Sequence, residues 1–239
     1  MMDRMADQKP GGEQAQFIWR KAPRSLDKLF MKKEDRRKLK SGRYLHVLVY
    51  SWGFRRIDGD DELSGRWEEV AEFSRFIMEF AVNGARTRAD HAYWGHLEDG
   101  RSFGFGDSLW PSASRSSAQA SLSAVPGVTT AVNVGQLGRI FTDRVASVLL
   151  PKAISQFNAG QSTTFGPFTV GPPGITEGDE SVTWHEVEGV QTQGGFVRVQ
   201  KVGTRPAWKK VAQPEVPNDF VFEALVRTVL AHRSGDGRG

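Results

Sequence analysis

The chain is predicted to be an α+β protein with segregated elements: two tandem units, each a small antiparallel β-sheet or barrel closed by its own C-terminal amphipathic helix. Three observations predict it. Strand-rich stretches are followed by one helical stripe, and that order occurs twice. A four-residue phrase stands in each strand-rich block, Trp67-Glu68-Glu69-Val70 and Trp184-His185-Glu186-Val187. Upstream of each copy lies a Gly-apolar pair, Gly53-Phe54 and Gly174-Ile175. A phrase repeated in matching surroundings marks a repeated structural unit.

The 239 residues suffice for one large domain or two small ones with their own cores. Hydrophobic content of 38% and charged content of 25% fit a globular chain, and 26 glycines foretell many turns. No apolar run approaches the ~20 residues that cross a bilayer, and no apolar segment of signal type follows the first methionines. With no cysteine, disulfides, thiolate nucleophiles and Cys-bound zinc are excluded, and a cytoplasmic location is expected. The net charge of +4 is uneven: residues 1–43 hold 13 Lys and Arg against 6 Asp and Glu, and the rest holds 19 against 22. Any anionic partner is therefore a matter for the N-terminal arm alone.

Residues 1–25 are expected to form a disordered tail, being polar and Gly/Gln-rich over most of their length. Ser25 is placed to cap a helix over 26–43, with Leu26, Leu29 and Phe30 on one face. Its other positions are largely cationic, and Lys28, Lys32, Lys33, Arg36, Arg37, Lys38 and Lys40 are the candidates for contact with an anionic membrane surface. A solvated face packed by three apolar residues competes with that reading.

The first unit is expected over 44–160. Tyr44–Tyr50 and Ser51–Arg56 have strand composition, and the Asp58-Gly59-Asp60-Asp61 turn leads into a strand through Trp67 and Val70. Phe73–Val82 is assigned to strand because Asn83-Gly84 follows, and Asp99-Gly100 predicts a second hairpin with a type I′ turn. Residues 106–128, rich in Ser and Ala, are a predicted long loop. Gln136–Asn158 carries Leu137, Ile140, Phe141, Val145, Val148 and Leu149 on one helical stripe, with Pro151 expected to kink or split it and Gly160 to end it.

The second unit is expected over 161–232. Thr163–Val170, Gly174–Glu177 and Ser181–Val187 are predicted strands, and Gly194-Gly195 turns a hairpin between Gly189–Gln193 and Phe196–Val202. Ala207–Val211 is a last strand. Asn218 is then the predicted cap of a closing helix with Phe222, Leu225, Val226, Val229 and Leu230 as its stripe, and 233–239 are expected to fray. On this reading Trp67, Val70, Trp184 and Val187 mark the same inward-facing register of one strand in each unit, with the Glu outward.

Leu149-Leu150-Pro151-Lys152-Ala153, Thr164-Phe165-Gly166-Pro167-Phe168, Trp184-His185-Glu186-Val187 and Val216-Pro217-Asn218 together resemble an uncharacterised bacterial family with two tandem pleckstrin-homology-like (PH-like) domains. The resemblance covers about residues 44–232. It implies small barrels plugged by a C-terminal helix and no established chemistry. Pleckstrin-homology barrels often bind phosphoinositides through cations between their first two strands. The corresponding loops are taken as Trp52–Arg56, where three aspartates follow Arg55 and Arg56, and Gly171–Gly174, which has no cation, so lipid binding is not carried over to either barrel.

No catalytic constellation emerges, and the chain is read as non-enzymatic, with no cofactor and no metal. Gly104-Phe105-Gly106 lacks the third glycine and the Gly-Lys-Ser/Thr sequel of a phosphate loop. His46, His91, His96, His185 and His232 are scattered, and His91 and His96 fall on opposite faces of a strand. Trp208-Lys209-Lys210 is too small a cluster for a single-stranded nucleic-acid platform. The expected function is interaction or scaffolding with an unknown protein or peptide partner. The alternative is peripheral membrane association through the basic arm 20–43 at the inner face, and nucleic-acid binding by that arm is a weaker third.

Overall fold

The computed structural model describes residues 15–20, 44–58, 60–82, 85–106 and 134–236. Its first sheet is a four-stranded meander of β1 (Ala15–Arg20), β2 (Tyr44–Val49), β3 (Gly53–Asp58) and β4 (Asp61–Arg66), each antiparallel to the next. A single 3-10 turn, Trp67–Glu69, swings the chain into a three-stranded meander of β5 (Val70–Val82), β6 (Ala85–Leu97) and β7 (Ser102–Gly106). The helix α1 (Val134–Asn158) closes this unit.

The second unit repeats that order of strands and helix. β8 (Thr163–Phe165), β9 (Phe168–Gly171), β10 (Gly174–Glu177) and β11 (Glu180–Thr183) make a four-stranded meander. Turn residues 184–186 lead to β12 (Val187–Gln193), β13 (Phe196–Lys201) and β14 (Lys209–Ala212). A 3-10 turn at Gln213–Glu215 precedes α2 (Asp219–Asp236). The described residues thus form a mixed α+β structure with four small antiparallel sheets and two helices. No sheet closes on itself, so the expected barrel is replaced by a pair of open sheets in each unit.

Alternation builds the cores. Val47 and Val49 on β2, and Val197 and Val199 on β13, are all at most 1% exposed, as a half-buried antiparallel sheet requires. In the first unit the Phe141 ring of α1 lies 5.0 Å from those of Phe54 and Trp67 and 4.8 Å from that of Phe105. In the second, Phe222 of α2 stacks on Phe165 and Phe168. The predicted stripes supply these contacts: Leu137, Phe141 and Val145 on α1, and Phe222, Leu225, Val226 and Val229 on α2, are buried.

Several expectations are corrected. The predicted tail includes Ala15–Arg20, which pair with Val49–Tyr44 of β2. Thr163–Val170 is two strands, because left-handed Gly166 (φ 58°) turns the chain between Phe165 and Phe168. Pro151 lies inside α1 and does not split it into two helices. It ends as predicted at Gly160 (φ 78°), where Gln161 N–H reaches the Gln156 carbonyl and Gly160 N–H that of Phe157. At Asp99-Gly100 only the glycine is left-handed, with its N–H on the Leu97 carbonyl, so the hairpin carries a glycine bulge rather than a type I′ turn. At Gly194-Gly195 both residues have positive φ, 60° and 78°, as the type I′ turn demands.

Trp52–Arg56 and Gly171–Gly174 do not join the first two strands of their units: Trp52 and Pro172-Pro173 lie between the second and third strands, Arg55 and Arg56 belong to β3, and Gly171 and Gly174 belong to β9 and β10. With β1 and β8 in place, the first-to-second connections are residues 21–43 and the Gly166-Pro167 turn. The predicted helix over 26–43 and the predicted loop 107–128 lie outside the described residues.

Candidate functional site

The Trp-x-Glu-Val phrases form corners between sheets, not strands. Trp67-Glu68-Glu69 is the 3-10 turn that follows β4, and Trp184-His185-Glu186 occupies the same place after β11. Both indoles are 3% exposed, so the inward reading of Trp67 and Trp184 holds while the strand reading fails. The buried indole N–H must find an acceptor. That of Trp67 donates to the Tyr50 carbonyl at 3.2 Å, and that of Trp184 to the Gly171 carbonyl at 3.0 Å.

The glutamates turn back rather than outward. Glu69 Oε2 accepts the Arg66 backbone N–H at 2.9 Å, and Glu186 Oε2 accepts that of Thr183 at 3.0 Å. Each thereby satisfies an N–H at the opening of its turn, as a capping box does. Their own carbonyls accept again, from Glu98 N–H and Val202 N–H, each at 2.8 Å. Glu186 also pairs with Lys201 at 2.7 Å. The Lys201 ammonium, with the Thr183 N–H and hydroxyl, holds the Glu186 carboxyl down to about 2. Val70 and Val187 begin the next strands and are buried. This doubled corner is a structural device that serves the fold.

The polar chemistry with reach between units lies at the start of α2. Asn218 has φ 57°, a left-handed conformation that is uncommon outside glycine. Its backbone N–H donates to the Phe73 carbonyl at 2.9 Å, and its side-chain Oδ1 accepts the Phe73 N–H at 2.9 Å. Its Nδ2 donates to the Ala71 carbonyl at 3.2 Å. Asn218 therefore imitates a strand on the open edge of β5. The predicted cap has only its carbonyl in α2, bonded by Val221 and Phe222 N–H, while its side chain serves the other unit.

Asp219, fully buried, sits beside it. Its carboxylate takes Arg75 Nε at 3.0 and 3.1 Å and Nη2 at 3.1 Å, and Gln213 Nε2 at 3.0 Å. The Arg75 guanidinium also lies 5.5 Å from the Phe220 ring centroid, and Phe220 meets Phe73 edge-on. A paired, multiply hydrogen-bonded ion is the form in which a charge tolerates burial. Nothing in the spacing of Arg75 and Asp219, 144 residues apart, announces this pair.

The remaining candidates are spent locally. His96 Nδ1 shares a 2.9 Å hydrogen bond with Ser102 Oγ, and His91 stacks near Tyr93. Lys209 pairs with Glu177 and Glu180, whose hydrogen bonds raise its pKa, and Lys210 lies over the Phe196 ring at 3.8 Å. A shallow groove between the C-terminal ends of α1 and α2 is lined by Ile154, Phe157, Leu225, Val229, His232 and Arg233. Among the described residues no three His, Asp or Glu group as a metal site, and no helix is long and apolar enough to cross a membrane. Lys28, Lys32, Lys33, Arg36, Arg37, Lys38 and Lys40 lie outside the described residues.

Residues 129–234, from just before α1 almost to the end of α2, match a family of unknown function, DUF6585. No curated protein and no solved structure matches the chain.

Proposed function

We propose that the chain is a non-enzymatic interaction or scaffold protein of the bacterial cytoplasm, built from two tandem PH-like units. The doubled order of four strands, a corner, three strands and a helix supports the PH-like reading. The observation that carries the interaction reading is the Asn218–Phe73 pairing, in which the β5 edge of one unit already holds a polypeptide segment of the other. Sheet edges recognise extended segments through main-chain hydrogen bonds, with side-chain pockets adding selectivity. A purified full-length chain, fixed to resin through either terminus, is expected to capture the same partner protein, and the reciprocal capture to return this chain. Turnover of a hydrolase or transferase substrate by the purified chain, abolished by His185→Ala, overturns the reading.

A second reading, peripheral membrane association through the basic arm, gains one specific support. Arg20 pairs with Tyr44, so residues 21–43 leave and rejoin the same end of the first sheet. That connection contains the whole cationic excess of the N-terminal 43 residues, ten Lys and Arg against three Asp and Glu. Each surface cation near an anionic leaflet is worth about 1 kcal/mol, weakening with salt. The informative variant replaces 21–43 with a short turn and keeps β1, since removing all 43 residues also removes a strand. Flotation with phosphatidylserine vesicles is expected for the full chain and lost in the variant; equal flotation of the two excludes this reading.

A further inference from the structure

A row of polar side chains crosses the outward face of the β12–β14 sheet. Gln191 on β12 stands opposite Arg198 on β13, and Arg198 stands opposite Lys210 on β14. Cross-strand partners point to the same side, about 5 Å apart between Cβ atoms. The adjacent Val190, Val197 and Val199 are buried, so the row lies on the side away from the core. That side is open. Gln191 and Lys210 are exposed, and a Cβ added at Gly189, two residues before Gln191, would meet nothing within 4 Å.

Two observations set this row apart. Like charges directly opposite each other destabilise a sheet, yet Arg198 faces Lys210 and neither forms an ion pair among the described residues. Glu177 and Glu180 are spent on Lys209, which points to the other side of β14, and Glu186 on Lys201. Glu188, exposed in the β12 bulge, pairs with neither cation. Uncharged groups hold the two heads instead. Lys210 Nζ lies 3.8 Å from the Phe196 ring centroid, and one Arg198 nitrogen donates to Gln193 Oε1 at 3.4 Å. Neither contact neutralises a charge, and most of the guanidinium fork is left over. The repeat supplies the second observation. Val70 opposite Leu97 and Val187 opposite Lys201 are each followed by a one-residue bulge, so the same row in the first unit is Ser74, Trp94 and Gly104. The architecture therefore asks for no cation at these positions.

We propose that Gln191, Arg198 and Lys210 form a binding site for a phosphate dianion, free or as a phosphomonoester. The Arg198 fork donates to two of its oxygens, the Lys210 ammonium meets a third as a point charge, and the Gln191 amide adds a neutral donor. A dianion offsets both charges of the opposed pair, where a single carboxylate would offset only one. The site adds a class of ligand to the chain and does not rest on the interaction reading.

Titration of the full chain with inorganic phosphate, replacing chloride at constant ionic strength and about pH 8, tests it by NMR. Saturable shifts with a millimolar midpoint are expected in the backbone amides of Arg198 and Lys210 and the side-chain amide of Gln191. Arg198→Gln and Lys210→Gln should each weaken binding about tenfold, since each removes a charge-assisted hydrogen bond. Arg205→Gln, which removes an exposed cation outside the row, should leave it unchanged. Urea unfolding gives a second readout. In chloride Arg198→Gln should have a higher midpoint than the parent chain, because the like-charge opposition is relieved, and phosphate should raise the parent's midpoint more. The peptide Gly-phosphoserine-Gly separates the sources: binding tighter than that of inorganic phosphate marks a phosphorylated side chain, and equal or weaker binding marks a small phosphate ester. Shifts that do not saturate, an equal loss in Arg205→Gln, or undiminished binding by both row variants overturns the proposal.

Discussion

Asn218 and Phe73, 145 residues apart, exchange two hydrogen bonds of 2.9 Å as if they were neighbours in a sheet, although one of the two acceptors is a side chain. The geometry requires the left-handed backbone of Asn218 (φ 57°), a conformation a non-glycine residue keeps only when its surroundings over-determine it. Asn218→Ala removes the side-chain bonds to Phe73 and Ala71 and retains the strain, so a loss of about 2 kcal/mol is expected. Asn218→Gly removes the same bonds and relieves the strain, and should cost about 1 kcal/mol. Urea unfolding of both variants checks the order, and equal losses would separate the strain from the joint.

The Arg75–Asp219 pair predicts a larger effect. Arg75→Ala leaves a fully buried carboxylate with only Gln213 as a side-chain partner, and breaking such a pair typically costs about 3–5 kcal/mol. Asp219→Ala strands a guanidinium that is one-fifth exposed and reaches water more easily, so its cost should be smaller. A double-mutant cycle in denaturant gives the coupling. Because the partners come from different units, Arg75→Ala should also raise exchange in the first turn of α2. Destabilisation confined to the first unit would show that the joint does not link them.

Glu186 sets a pH dependence of definite sign. Its folded pKa, about 2, lies below its ordinary value of 4.5, chiefly through the Lys201 ammonium and then the Thr183 donors. A depressed carboxylate stabilises the fold above the ordinary value, and that contribution disappears as pH falls through the folded one. Glu186→Gln should therefore flatten the fall in stability between about pH 4.5 and about pH 2. Denaturant midpoints of the two chains across that window should converge at the acid end. Parallel curves would remove Glu186 as the cause.

Gly53 and Gly174 should fail alike. A Cβ on Gly53 would fall on the Gly65 carbonyl, and one on Gly174 on the Val182 carbonyl, each in the strand that runs into the Trp corner. Backbone cannot yield as a flexible side chain can, so Gly53→Ala and Gly174→Ala should each cost about 2 kcal/mol or more. Gly178→Ala, in the open β10–β11 turn with φ 57°, tests the backbone conformation alone and should cost about 1 kcal/mol. Thermal unfolding of the three ranks them.

What was legible in the chain was local. Alternating Val and Phe, two-glycine turns and helical stripes placed the later strands and both helices, because each is decided by neighbours a few residues away. The Trp-x-Glu-Val repeat is visible in the sequence but its corner geometry is not, since Trp and Val favour strands and nothing local says that Glu69 and Glu186 bond backwards. Phe17-Ile18-Trp19 carried a strand signal that its polar flanks obscured. The joint was illegible for a different reason: Asn218 has the residue type of a helix cap, and only the approach of β5 turns its side chain to Phe73.

Thr192 gives a prediction about the stability of the isolated fold. Its hydroxyl is buried without a partner, and burying such a group costs free energy that an isosteric methyl does not. Thr192→Val keeps the β-branched shape that suits β12 while removing the unpaired donor. The free chain should gain about 1 kcal/mol, read as a raised urea midpoint with an unchanged slope. If Thr192→Val is neutral or destabilising, the hydroxyl already has a partner, such as a bound water.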